Sequence, residues 1–117
     1  MTSAGRVRAL NALLDFDAPL ASTLKGLRRF PWDCEEPLVF MTESQLANVI
    51  ERYLSGGLTA VDCEDWANAI ESREDVGYGG DRPDLLRDAV FEIANPALTQ
   101  PFTSERAALL LLGLGRS

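Results

Sequence analysis

Carboxylates are the side chains of this 117-residue chain with the most scope for chemistry. Eighteen Asp and Glu residues stand against eleven Lys and Arg residues, and the sequence contains no histidine. A chain without histidine cannot form Ser-His or Cys-His catalytic pairs or His-ligated metal sites. The acids that could pair for general acid-base catalysis lie close together in the sequence and are Asp62, Asp65, Glu71, Glu74 and Asp75.

The spacing of these acids favours a solvated helix face over a catalytic site. Asp62 follows Thr59 by three residues, where it would close a capping box. Asp65 and Glu71 fall opposite Trp66 on a helix, facing water. A catalytic acid needs burial to shift its pKa, and a solvated face does not provide it. We therefore predict a partner-binding acidic surface made of Asp65, Glu71, Glu74 and Asp75, with no catalytic residue.

Three other sequence features also argue against a cofactor or a metal site. The glycine-rich segment 76–80 is predicted to follow a helix, whereas a phosphate-binding loop follows a strand. Segment 75–84 lacks the alternating oxygen ligands of an EF-hand. Cys34 and Cys63 lack the CxxC spacing of zinc and redox sites, so we expect reduced thiols. No metal or cofactor is predicted.

Two capped helices joined by a tight link form the clearest structural pattern. Apolar residues recur at helical spacing over 42–55, where Thr42 and Gln45 make a capping box. Two glycines end this segment, and a second capped helix is predicted over 59–72. The pair predicts an αα-hairpin.

The flanking segments predict a single all-α domain over 1–117, a compact bundle of four to six short helices. The N-terminal part, 1–31, is less regular and basic, and the helical core spans 42–114. Within the core, a third helix is predicted from Asp81 or Asp84 to Asn95, and a last one from Thr103 to Leu112.

The remaining segments are predicted as two short helices and their connections. Helical spacing at 7–14 and 20–27 predicts the two N-terminal helices. Segment 30–37 is predicted to be extended, and segment 73–81 to be a loop. Segment 38–41 is either a short strand without a partner or the approach to the next helix.

The charge distribution disfavours nucleic acid as a partner. Residues 1–31 carry five basic and two acidic side chains, a net charge of +3, and the remainder carries six arginines and sixteen carboxylates, a net of −10, which together give −7. A surface this acidic repels phosphates. The sequence shows neither a signal-peptide pattern nor an apolar run of the roughly 20 residues that span a bilayer, so we expect a cytoplasmic protein without membrane association.

Two apolar features leave alternatives open. Trp66 is predicted to lie in the core, whereas Trp32, flanked by Pro31 and Asp33, either plugs the core or presents an interaction surface. The C-terminal leucines, at positions 109–112 and 114, are apolar on every side of a helix. Either the N-terminal helices or a second copy of the chain covers the outer side, so a homodimer is one prediction.

Several short stretches resemble a family of small uncharacterised bacterial helical proteins over about residues 28–112. Those stretches are 30–33, 36–39, 52–56, 58–60, 64–68 and 94–96. The resemblance implies no catalytic residues. The Tyr53-Leu54-Ser55-Gly56 to Thr59-Ala60 hairpin also resembles the colicin D type of self-protective immunity proteins, which are small, helical and acidic.

Together these features predict a non-enzymatic acidic helical protein that binds a basic protein partner, as an immunity protein binds its toxin. A small-ligand or carboxylate-based enzyme is one alternative, and a self-assembling structural subunit is another.

Overall fold

The described part of the computed structural model, residues 4–115, contains six helices and two short strands. In chain order the elements are α1 (Ala4–Asp15), α2 (Leu20–Leu27), β1 (Val39–Met41), α3 (Glu43–Leu54), α4 (Ala60–Glu71), β2 (Val76–Tyr78), α5 (Pro83–Ala94) and α6 (Ser104–Gly113). The prediction of a mostly helical bundle of four to six helices is confirmed.

The αα-hairpin forms with both of its predicted capping boxes. The Thr42 hydroxyl accepts from the Gln45 N–H at 3.1 Å, and the Gln45 side chain accepts from the Thr42 N–H at 2.9 Å. At α4 the corresponding bonds between Thr59 and Asp62 measure 3.0 and 2.8 Å. Each box satisfies two donors that a helix start would otherwise leave unpaired.

The prediction of a loop throughout 73–81 is wrong at 76–78. These residues form β2, which pairs in parallel with β1 and places Phe40 opposite Gly77. The Phe40 ring packs closely against the backbone of Gly77, where a Cβ would lie only 2.9 Å from the ring, so a glycine is needed at this position. The loop was predicted from the glycines of this segment and from the absence of a periodic apolar face. Segment 38–41, predicted as a strand without a partner or as the approach to a helix, pairs as β1 with β2.

Trp66 is fully buried in the core. Its indole N–H donates to the Leu13 carbonyl at 2.7 Å, and its ring stacks with Phe16 at 6.5 Å between centroids. Phe16 ends α1 in a left-handed conformation with φ of 51°, and its carbonyl accepts from Arg52 at 2.8 Å. These bonds tie the end of α1 to α3 and α4.

The contacts of α4 are unequal on its two sides. α4 packs extensively against α5, with Trp66, Ala67 and Ile70 buried in the core. Its contact with α2 is slight, and Leu20 and Leu24 of α2 stay only partly buried. A groove therefore opens between α2 and α4.

Candidate protein-binding site

The space between α2 and α4, called here the α2/α4 groove, has an apolar floor and one acidic wall. Leu20 and Leu24 of α2 and Ala69 of α4 supply apolar surface, and Asp62 and Asp65 line the same space. The cavity volume is about 770 Å³, which lies within the usual range of ligand-binding clefts.

A second cavity of about 580 Å³ continues the groove towards residues 28–38, which connect α2 to β1 and are called here the linker. Leu24, Ser72 and Arg73 line both cavities, and the second also contacts Phe30 and Trp32. The groove thus runs along α4 from the acidic pair to Trp32. The start of α2, at Leu20, lines the same cavity as Asp62, and its end, at Leu27, lines the same cavity as Ser72. The two helices therefore run in the same direction along the groove.

Trp32 lies at the surface, where it borders this second cavity. Its side chain is 58% exposed, so the alternative that it plugs the core is wrong. A large exposed aromatic side chain is characteristic of binding surfaces, where Trp is enriched among the residues that dominate affinity. The structure thus brings Trp32 and Asp65 to one groove, although 33 positions of sequence separate them.

The other predicted acids lie in three different settings. Glu71 is exposed, and its carboxylate accepts from the Asn95 amide at 3.1 Å, which places it on the α5 side of α4 rather than in the groove. Glu74 is exposed beside the linker, since its backbone N–H donates to the Trp32 carbonyl at 2.9 Å. Asp65 is exposed, and its carboxylate has no ion-pair partner within residues 4–115.

The prediction that Asp75 belongs to an exposed acidic surface is wrong. Its side chain is fully buried, and its two oxygens accept from Arg6 Nε at 3.0 Å and from Arg73 Nε and Nη2, each at 2.9 Å. Burial costs a carboxylate its hydration, and two guanidinium groups compensate that cost here. Asp75 is therefore committed to an internal ion cluster and is not available to a partner.

The two ends of the groove carry opposite charge. Asp62 and Asp65 lie near the start of α4, whereas Arg28 and Arg73 line the end that holds Trp32. Arg73 is engaged with Asp75, while Arg28 is exposed to solvent. A cationic group in the groove is therefore favoured at the Asp62 and Asp65 end.

Sequence reasoning missed the apolar floor and the basic end of the groove. Leu20 and Leu24 were assigned to a helix without a role in binding, and Arg28 was counted only as part of a basic segment. One signal of the groove was present in the sequence. Positions three or four apart on one face of α4 carry two acids and two small side chains: Asp62, Asp65, Ala69 and Ser72. Small side chains on a helix face leave open space beside it.

The two cysteines are free, and the buried one is a poor nucleophile. Burial, reinforced by the neighbouring charge of Asp62, raises the pKa of the Cys63 thiol to about 12. Tyr78 behaves similarly, because burial and then Glu71 raise its pKa to about 12 against the opposing effect of Arg87. Both groups stay protonated at neutral pH.

A second groove lies between α3 and α6. It has a volume of about 520 Å³, and Leu54, Ala108, Leu111 and Leu112 line it together with Glu51 and Ser55. Leu111 is buried, but Leu109 and Leu112 are 56% and 59% exposed. The N-terminal helices thus do not cover the outer side of α6.

Residues 4–115 contain no cluster of three or more Cys, Asp or Glu side chains arranged to hold a metal ion. In the same range, no helix combines the length and apolar character needed to cross a membrane.

In comparisons with known proteins, no family model matches the chain, and no curated protein or solved structure is significantly similar to it.

Proposed function

We propose that this protein is a cytoplasmic binding module that holds a basic segment of a protein partner in the α2/α4 groove. The observation that carries the proposal is that two exposed side chains, Asp65 and Trp32, lie along one groove with an apolar floor, and that Asp65 has no ion-pair partner within residues 4–115. In this proposal a basic side chain of the partner contacts Asp62 and Asp65, and an apolar side chain lies on Leu24 beside Trp32. This arrangement is of the helix-in-groove kind, in which apolar anchors enter a groove and charges fix the register.

The net charge of the chain supports a basic partner. At −7 the molecule attracts cations over a distance and speeds their encounter, which makes such association dependent on salt. The resemblance of the hairpin to colicin D type immunity proteins supports a toxin domain as the partner. Free thiols at Cys34 and Cys63 suit the reducing cytoplasm.

We propose binding rather than catalysis as the mode of action. Glu71 and Asp75 cannot act together with the acids of the groove, because Glu71 lies on the α5 side of α4 and Asp75 is neutralised by two arginines. Asp62 and Asp65 share the groove, but one Asp62 oxygen accepts from the Thr59 N–H in the capping box and Asp65 is exposed. The nucleophile Cys63 is buried with a raised pKa. The positions of these side chains favour protein binding over catalysis as the function.

The experiment that tests this proposal is selection of peptides from a random library displayed on phage, with the protein immobilised. We expect the selected peptides to place Lys or Arg near a large apolar residue. In calorimetric titration, Trp32→Ala should weaken the best peptide about 30-fold, as for an interface residue that dominates affinity, and Asp65→Lys about tenfold or more.

Two variants serve as matched controls for that titration. Asp88→Lys reverses an exposed acid on α5, and Leu98→Ala removes an apolar side chain that is 76% exposed, both away from the groove. Both should keep the affinity within about twofold, as surface substitutions outside an interface do. Selection of acidic peptides, or equal losses in the control variants, would contradict the proposal.

The exposed leucines of α6 favour self-association as a second candidate function. Leu109 and Leu112 present an apolar strip beside the α3/α6 groove, and among residues 4–115 Glu51 is the one charged residue that lines that groove. A second copy of the chain can therefore dock here without bringing many like charges together. Sedimentation equilibrium should show a dimer that Leu109→Glu converts to a monomer, and a wild-type monomer at high concentration would exclude this function.

A further inference from the structure

Three consecutive carbonyls of the linker are each held by a donor from outside it. The Pro31 carbonyl accepts from Arg73 Nη2 at 3.0 Å, and the Trp32 carbonyl from the Glu74 N–H at 2.9 Å. The Asp33 carbonyl accepts from Arg6 Nη2 at 3.0 Å. The segment belongs to no helix or strand, yet its backbone is fixed on both sides of the exposed Trp32 side chain.

The buried carboxylate of Asp75 orients both of the arginines in this arrangement. Arg6 donates from Nε to Asp75 and from Nη2 to the Asp33 carbonyl. Arg73 donates from Nε and Nη2 to Asp75, and its Nη2 also donates to the Pro31 carbonyl. The planar guanidinium group can bond in two directions at once because its donors diverge in a fixed fork. The side chains of Arg6 and Arg73 are only 14% and 10% exposed, so solvent competes little for their bonds to Asp75. Their bonds to the linker carbonyls lie at the surface.

The backbone of Asp75 also holds the far end of the linker. Its carbonyl accepts from the Leu38 N–H at 2.8 Å and from the Val39 N–H at 3.2 Å. One residue thus connects the start of β1 to the arginines that hold the segment around Trp32. Removing its charge would release both arginines together.

We infer that Asp75 is a positioning residue that presents Trp32 to the partner as a pre-organised anchor, an inference that rests on the proposed binding function. An interface side chain that is already ordered loses less conformational freedom on binding. The ion cluster, which binds nothing itself, thus contributes to affinity through the backbone segment that carries the Trp32 side chain.

Nuclear magnetic resonance relaxation of the backbone N–H of Trp32 tests this inference without any partner. We expect an order parameter near 0.85 in the natural protein, as in rigid backbone, and below about 0.6 in Asp75→Asn. The milder Arg6→Lys keeps the charge but cannot bind Asp75 and Asp33 together as a fork, so it should give an intermediate value. If Asp75→Asn does not fold, Arg6→Lys carries the test.

Glu92→Gln is the matched control, because Glu92 also receives a two-bond contact from an arginine, at 2.6 and 2.7 Å from Arg106. It should leave the order of Trp32 unchanged, even if it lowers stability as much as the test variant does. A Trp32 segment that stays rigid in Asp75→Asn and in Arg6→Lys would overturn the inference and would mean that the cluster only stabilises the fold.

The affinity for the peptide selected above separates this inference from the proposed function. Loss of order at Trp32 should weaken that peptide about two- to tenfold, since ordering one side chain carries a modest entropic cost. If Trp32 becomes mobile in Asp75→Asn while Trp32→Ala binds the peptide normally, the proposed role of Trp32 in binding fails and the positioning effect on the linker stands.

Discussion

Trp66 and Trp32 are the same residue type in opposite settings. Trp66 is fully buried on a helix, with its indole N–H bonded to the Leu13 carbonyl. Trp32 is 58% exposed on an irregular linker that is held by hydrogen bonds to its backbone. This small protein thus uses one tryptophan to fill its core and leaves the other accessible on a hydrogen-bonded backbone, which is the setting that the proposed binding role requires.

The largest expected effect separates the two tryptophans by their contribution to stability. Trp66→Ala should lower the free energy of unfolding by about 3–5 kcal/mol, because it leaves a large cavity and removes the buried hydrogen bond to the Leu13 carbonyl. Trp32→Ala should change it by no more than about 0.5 kcal/mol, as surface substitutions do. Urea denaturation measures both values, and similar losses in the two variants would contradict the contrast drawn here.

Asp75→Ala should have the next largest effect, about 3 kcal/mol of unfolding free energy. The substitution leaves two mostly buried arginines without their shared carboxylate, and breaking a buried ion pair costs about this much. Urea denaturation again measures the loss. A stability unchanged from the natural protein would show that the cluster is solvated, and would remove the basis for a fixed Trp32.

Alkaline pH should weaken the core around Trp66 through Cys63. The folded pKa is about 12 against an ordinary value of 9.0, so the contribution is complete below pH 9 and is lost as pH rises from 9 towards 12. In this window the free energy of unfolding should fall by up to about 1.4 kcal/mol per pH unit for this thiol.

Urea denaturation at a series of pH values checks the alkaline loss. Cys63→Ala should flatten the decline between pH 9 and 10 and reduce it between pH 10 and 12, where the raised pKa of Tyr78 contributes as well. Ile70→Val, which also removes buried volume but no titrating group, should keep the decline. A decline that is the same in Cys63→Ala as in the natural protein would assign it to other groups.

The smallest of these effects concerns the start of the helix that carries Trp66. Thr59→Ala removes the capping box and should lower the free energy of unfolding by about 1 kcal/mol. Thr59→Ser keeps the hydroxyl group and should retain most of the stability. Relaxation at Trp32 should not change in either variant, because the linker does not depend on this cap.

Short-range signals made the helices predictable, whereas long-range contacts decided the rest. The two capping boxes join residues three apart, so the hairpin could be read directly from the sequence. The pairing of β1 with β2 joins segments about 37 residues apart, and no local pattern announces it. Gly77 looked like a loop residue because its strand role depends on the Phe40 ring above it.

The candidate site was predictable in part for the same reason. The exposure of Asp65 follows from helical periodicity, and it was expected. The burial of Asp75 depends on Arg6, which is 69 positions away in the sequence, so its charge suggested a surface position instead. The groove between α2 and α4 depends on how loosely two helices pack, which composition does not determine.

A basic partner that docks beside Trp32 in the α2/α4 groove should change the surroundings of the Trp32 indole N–H and not those of the buried Trp66 indole N–H. The two indole signals therefore test the proposed docking most directly. The chain contains two tryptophans, so a nitrogen–proton correlation spectrum gives one indole signal for each. During titration with a selected basic peptide, the Trp32 signal should shift and the Trp66 signal should stay in place. Saturable binding that leaves the Trp32 signal unmoved would contradict the account.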